Sequence, residues 1–272
     1  MIMKQRKNKI NWFDFGNKLI TYFVGIFFLI VLGTILWKGL PYFISSLKSE
    51  EVQFAIGLSI ITASISTLIC VLLAIPVAYS LTKTKFFGEK VLSMILELPL
   101  SLPYLVLGLS LLLIFASPLG KWLSSHGFTV IFSPVGIIFA HMVVNLPFVI
   151  RIIKTAFMEV DPRLEFIART LGAKKSKAFF TVTLPLTKNT ILGATILAWS
   201  RGLGEFGATL MLVGATRMKT ETLPSSIYLN MATGDMGVAM ASAMFLLLIS
   251  IVSLLLFRFI QPKTKKSRVT IF

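Results

Sequence analysis

Along the chain, apolar positions gather into six long stretches, at about 19–40, 54–81, 91–117, 129–153, 189–214 and 236–260. Each is long enough for a helix across a bilayer core, which needs ~20 residues. The two-residue alternation of a barrel strand is absent, and a spanning backbone must satisfy its own hydrogen bonds. The pattern therefore predicts an all-α, polytopic protein of six transmembrane helices. One stretch departs from it: DPRLEFIARTLGAKKSKAFFTVTLP, residues 161–185, is charged and amphipathic between the fourth and fifth runs. Asp161-Pro162 reads as a helix start, an N-cap followed by a proline tolerated at the first helical position. Leu164, Ile167, Ala168 and Leu171 recur at helical spacing, and Gly172 stands where a left-handed turn commonly ends a helix. A second short helix is predicted from about Lys175 to Thr183, carrying Phe179 and Phe180 and ended by Leu184-Pro185. Two readings stay open at this point: an amphipathic loop lying on lipid, or a docking element for a soluble partner in helix-in-groove mode.

Composition agrees with the membrane reading. The chain has 56% hydrophobic and 14% charged residues, where a soluble domain has about 45–50% and about 25%. The formal charge of +16 raises nucleic acid as a partner, so the position of each charge matters. Lys and Arg number five up to Lys18, three around Lys83–Lys90, eight from Arg151 to Lys188 and five from Arg258 onward, 21 of the 27. The opposite loops hold Lys38, Lys48, Lys121, Arg217 and Lys219, and Arg201 lies inside the fifth run. The positive-inside rule puts both termini and the 161–185 stretch in the cytoplasm of a multi-pass cell-membrane protein in contact with the lipid bilayer. The charge is thus mostly topology, with some attraction to anionic lipid. Nucleic-acid binding would need basic residues interleaved with aromatics on one soluble face, and the sequence offers none. The first run is too long for a signal peptide and lacks a small-residue cleavage site, so it reads as a retained helix. The expected organisation is a basic tail at 1–18, a six-helix membrane domain at 19–260 with a cytoplasmic loop at about 155–188, and a basic tail at 261–272.

Nothing along the chain reads as a reaction centre. Gly120-Lys121 lacks the upstream Gly of a Walker A loop. His126, His141 and Cys70 stand apart from one another and form no ligand set, so packing or surface is the expected role of each. A membrane enzyme would need a convergent acid/base or metal set. An ion-coupled secondary transporter would need related halves and midplane carboxylates, and no internal repeat is seen. The candidates for a pathway or gate are irregular or polar positions within the runs. Pro99 and Pro103 are expected to kink the third, and Asn145 with Pro147 to do the same in the fourth. Ser200, Gly204 and Ala208 form a stripe of small residues in the fifth, followed by Thr209. Arg201 and Glu205 are four apart, on one face of the fifth helix and near the middle of its length. A lone charge at mid-bilayer costs ~2.5–3.5 kcal/mol, so a mutually neutralising structural or gating pair is expected; the alternative is that Arg201 contacts an anionic substrate directly, although Glu205 one turn away would repel a dianion.

The 161–185 stretch resembles the cytoplasmic signature loop of ABC-importer permeases: EAA, three residues, G, nine residues, I, one residue, LP. Ala168, Gly172, Val182 and Leu184-Pro185 fall on the motif at its spacing, while Phe166 and Ile167 replace its Glu and first Ala, and Glu165 stands one residue early. LPLSLPYLVLGLSLLL (98–113), NLPFVIRIIKTAF (145–157), SRGLGEFGATLMLVG (200–214) and TLPSSIY (222–228) resemble molybdate-type oxyanion permeases, relatives of the sulfate and tungstate permeases. This resemblance spans roughly Glu97 to Phe257. It implies a type I importer-like permease that moves molybdate or tungstate inward, with sulfate or thiosulfate as the alternative cargo. It also implies a homodimer, two ATP-binding cassette subunits carrying ATP and Mg, and an extracytoplasmic oxyanion-binding protein. The permease itself would hold no cofactor and perform no hydrolysis. The coupling residues would be Glu165, Ala168, Leu171, Gly172, Leu184 and Pro185, and the pathway would run near the third and fifth spans, where two copies meet.

Overall fold

A computed structural model describes residues 12–260; residues 1–11 and 261–272, which hold most of the two expected basic tails, lie outside it. The helices are α1 Trp12–Gly39, α2 Phe43–Leu47, α3 Glu50–Lys83, α4 Glu89–Glu97, α5 Tyr104–Ala116, α6 Pro118–Ser125 and α7 Pro134–Glu159. They continue with α8 Pro162–Thr170, α9 Lys175–Ala178, α10 Leu184–Leu203, α11 Gly207–Val213, α12 Leu223–Ala232 and α13 Met236–Ile260. No strand occurs among the described residues. Four helical stretches are long and apolar enough to cross a membrane: Trp12–Leu47, Glu50–Lys83, Pro134–Glu159 and Met236–Phe259. The pair Glu89–Ser101 and Tyr104–Ala116 passes the same test only when its two members are taken together.

The centre of the molecule is α3 against α7 and α10. Ala55, Ser59, Ala63, Ser66, Cys70, Ala74 and Ala78 are buried at three- and four-residue spacing, so one face of α3 is made of small side chains. That face admits close helix approach, which is what holds helices together where lipid is as apolar as leucine. Towards the Lys83 end, Cys70, Ala74, Ala78 and Leu81 pack on Val149, Ile153, Phe157, Ile191 and Ala198. Towards the other end, Leu107, Ile137, Ala140, Val144, Ala208 and Leu212 join α5, α7 and α11. A third cluster, Val52, Leu223, Ala241 and Phe245, ties α3 to α12 and α13.

Two expectations from the sequence are corrected, for the third and fifth runs. The third run is not a kinked helix but two helices bent by 114°. A 3-10 turn over Leu98–Ser101 follows α4, and Leu102 is extended because Pro103 excludes the helical region from the residue before it. The fourth run is one continuous α-helix that contains Pro147. The fifth run stops at Leu203 and restarts at Gly207.

The chain between α9 and α10 also differs from expectation. Leu184-Pro185 does not end the second short helix; α9 passes through a π turn at Phe179–Thr183 directly into α10. Pro185 has no N–H for the carbonyl one turn back, and its ring crowds a regular α-turn. The wider π turn absorbs both problems.

Candidate functional site

The two interruptions meet in space. Tyr104 opens α5 immediately after its bend, and its hydroxyl accepts a hydrogen bond of 2.6 Å from Arg201 Nη2, near the end of α10. A Cβ on Gly207, the first residue of α11, would stand 3.4 Å from Leu105 N and 3.4 Å from Tyr104 Cβ. One turn on, a Cβ on Gly108 would come within 2.5 Å of Ala208 O, so α5 and α11 touch backbone to backbone. Asn145 lies eleven residues into α7, about 16 Å along a helix that rises 1.5 Å per residue, which is mid-depth. Irregular backbone at that depth is tolerated only inside protein or beside a water-filled cavity. Ser101 to Tyr104 and Gly204 are exposed on this chain, so its own helices do not cover the two breaks.

Arg201 and Glu205 are not partners. Gly204 closes α10, so the two residues do not share a helix face. The Glu205 carboxyl turns forward onto the free N–H groups of α11, accepting from Ala208 N at 2.7 Å, from Thr209 N at 3.0 Å and from Thr209 Oγ1. Those N–H groups have no partner within the helix, and Glu205, 3% exposed, supplies one in a place water does not reach. The ion-pair expectation failed because it assumed an unbroken helix. For the same reason Ser200, Gly204 and Ala208 do not form one stripe.

Arg201 instead lies among neutral groups. Besides Tyr104, its Nε donates to Asn145 Oδ1 at 3.4 Å, and its guanidinium stands 4.6 Å from the centre of the Phe148 ring. Asn145, fully buried, also donates to the Ala198 carbonyl at 3.2 Å and so fixes α7 to α10. Below it, Gly202 faces Ala63, His141 and Asn145, and His141 Nδ1 lies 3.5 Å from Ser66 Oγ. Among the described residues the ion pairs are Lys154–Glu97 at 3.2 Å, beside the cavity of about 640 Å³ between α4 and the Lys83 end of α3, and Arg217–Glu51 at the opposite end.

The 161–185 stretch is a separate, exposed element. Asp161 caps α8 by accepting from Arg163 N at 2.9 Å. Gly172 has φ +91°, Gly172 N donates to Arg169 O and Ala173 N to Ala168 O, both at 3.0 Å, which is a Schellman closure. No side chain of α8 is buried; Leu164, Phe166, Ile167 and Leu171 are exposed, Leu171 at 83%. Glu165 points the other way and accepts from Thr183 Oγ1, which ties α8 to the π turn. Leu184, half-buried, and Pro185, exposed, open α10 directly after the π turn.

Sequence reasoning singled out Asn145, Arg201, Gly204, Glu205 and Thr209, and the structure brings them to one region with Pro103. Pro99 lies apart, in the turn after α4. It missed Tyr104 and Phe148. A tyrosine directly after Pro103 was the available signal for the first. Phe148 had none, being one of 23 phenylalanines.

Apolar helices interrupted at facing points, with an exposed helical element beside them, fit the membrane component of a transporter. Residues 70–266 match the family described as binding-protein-dependent transport system inner membrane component, and the chain belongs to that family. It is therefore a multi-pass protein of the cell membrane. It is 39% identical over 210 residues to the molybdenum transport system permease protein ModB of Escherichia coli (strain K12), covering 72% of this chain and 90% of that one. It is 34% identical over 212 residues to ModB of Mycobacterium bovis, covering 77% and 80%. The sulfate transport system permease protein CysW of Synechocystis is 32% identical over 229 residues, covering 84% and 83%. Among solved structures, a bacterial alginate ABC transporter in complex with alginate pentasaccharide-bound periplasmic protein superposes with a TM-score of 0.72 at 18% identity. That match covers 95% of this chain and 99% of that one, and it speaks to the fold alone.

Proposed function

We propose that the chain is the translocating permease of an ATP-driven importer of an oxyanion, molybdate or tungstate. The observation that carries this reading is the extended similarity to molybdenum permeases, 39% identity over most of the Escherichia coli protein. The geometry supports a route and a point of energy input. The route runs where the α4–α5 and α10–α11 breaks face each other, beside Pro103, Asn145, Arg201, Gly204, Glu205 and Thr209. Energy enters at α8, whose apolar stripe fits a groove on a soluble ATPase subunit. Glu165, Ala168 and Gly172 hold that element in shape, Leu171 contributes to its surface, and Leu184-Pro185 joins it to α10. ATP and Mg then belong to the ATPase, and two copies of the permease receive the anion from an extracytoplasmic binding protein. In this reading six spans place both termini, the basic tails and the 155–188 loop in the cytoplasm.

A sulfate permease is the second reading, favoured by the similarity to the Synechocystis protein. The test is ATP hydrolysis by the assembled, reconstituted complex with its binding protein loaded with molybdate, tungstate or sulfate. Stimulation by molybdate or tungstate and not sulfate is expected. Stimulation by sulfate alone would transfer the assignment, and stimulation by none would remove an oxyanion as cargo.

A further inference from the structure

We propose that Arg201 is a direct, transient contact for the oxyanion at mid-membrane, a role that rests on the oxyanion-importer reading above. Its charge is met by no carboxylate. Glu205 is committed to α11, and the ion pairs among the described residues lie elsewhere, at Lys154–Glu97 and Arg217–Glu51. What Arg201 does touch is neutral: a phenol, an amide oxygen and an aromatic ring. These contacts orient the guanidinium without neutralising it. Of its five N–H donors two are engaged, which leaves three, including both on Nη1. That is the planar fork which takes two oxygens of a tetrahedral anion at once. The Tyr104 hydroxyl accepts from Nη2, so its own proton is available to the same anion.

Position adds a second argument. Tyr104 is 40% exposed and Gly204 is exposed, so the guanidinium lies at the edge of the face bordered by both broken spans. A cation at this depth, fixed to a bend on α5 and to the last turn of α10, is where an anion leaving water gains most. One cation with neutral neighbours also suits release, since a transported ion must not be held by a full complement of ligands. The competing role is a tether, in which Arg201 only ties Tyr104 to Asn145.

Charge rescue separates the two. In a Cys70→Ala background, Arg201→Cys is assembled with the ATPase and binding protein in proteoliposomes, and molybdate uptake is measured. We expect a fall of about tenfold or more, the size of one lost charge-assisted hydrogen bond. Reaction with aminoethyl methanethiosulfonate, which places an ammonium there, restores a substantial part. The sulfonatoethyl reagent, similar in length and anionic, does not. Arg201→Lys retains more uptake than Arg201→Gln. Uptake by Arg201→Cys equal to its parent would overturn the proposal. So would equal rescue by both reagents, or equal loss in Lys and Gln with rescue by neither, which is the tether's signature. If the unaltered complex moves no oxyanion, the importer reading itself fails, a result distinct from any of these.

Discussion

Gly172 is the position at which a single dihedral angle should govern coupling. Its φ is +91°, and a Cβ placed there would meet nothing within 4 Å. Steric packing therefore contributes nothing to a substitution, and the whole effect is backbone strain. A β-branched residue held in the left-handed region costs ~1–3 kcal/mol, and Asn costs less because it visits that region readily. At 1.4 kcal/mol per tenfold, the Val variant keeps the turned loop ~5- to ~150-fold less populated against alternatives that release the strain. Those alternatives open the two 3.0 Å Schellman bonds and swing α8 away from the π turn, displacing Leu164, Phe166, Ile167 and Leu171 together. The measurement is retention of the ATPase subunit on purified permease, with molybdate uptake in parallel, across Gly172→Asn, Gly172→Ala and Gly172→Val. Retention should fall in that order, while the amount of inserted permease stays level because no buried side chain is touched. A Val variant that retains the ATPase as well as the parent, or an Asn variant worse than Val, would refute the reasoning.

Gly108→Val should separate α5 from α11, because its Cβ would stand 2.5 Å from Ala208 O and 2.7 Å from Ala208 Cα. Overpacking of this kind costs ~1–3 kcal/mol, to be read as a lower unfolding midpoint of the purified protein in detergent; an unchanged midpoint would mean the contact is not tight. Glu205→Ala should orphan the Ala208 and Thr209 N–H groups at a cost of ~1–3 kcal/mol, with Glu205→Gln recovering part. Combining Glu205→Gln with Arg201→Gln should give no recovery of uptake, and recovery would reinstate an ion pair between them. Single cysteines at Ser176 and Ser124, in a Cys70→Ala background, should label from opposite sides of the membrane; labelling of both from outside would undo the proposed topology.

How far the sequence reveals this molecule depends on whether a residue's partners are local. The apolar runs around α3, α7 and α13 are legible because burial and length are written continuously along each. The α8 cap and its Gly172 closure are legible because Asp161 and Gly172 act within a few residues of their hydrogen-bond partners, and Pro162 sits at the first helical position. The bend between α4 and α5 is half legible. Pro99 and Pro103 announce an interruption, but an angle of 114° is set by what α5 packs against, namely Ala208 and Met211 of α11. Arg201 shows the limit. Its partners Tyr104 and Asn145 are 97 and 56 residues away, and no spacing rule reaches them. The four-residue interval to Glu205 looked like a pair because helix periodicity was extended through Gly204. Two glycines in an apolar run read equally well as a packing stripe or as a break. What decides between them is Glu205, whose carboxyl satisfies the start of α11 only if α10 has already stopped. Gly207 opens the restarted helix beside Tyr104 and Leu105, and it is Gly108, without a Cβ, that lets α5 lie backbone to backbone against Ala208. The two interruptions therefore depend on each other. Filling Gly108, where a Cβ would stand 2.5 Å from Ala208 O, would push α5 off α11 and take the hydroxyl of Tyr104 away from Arg201.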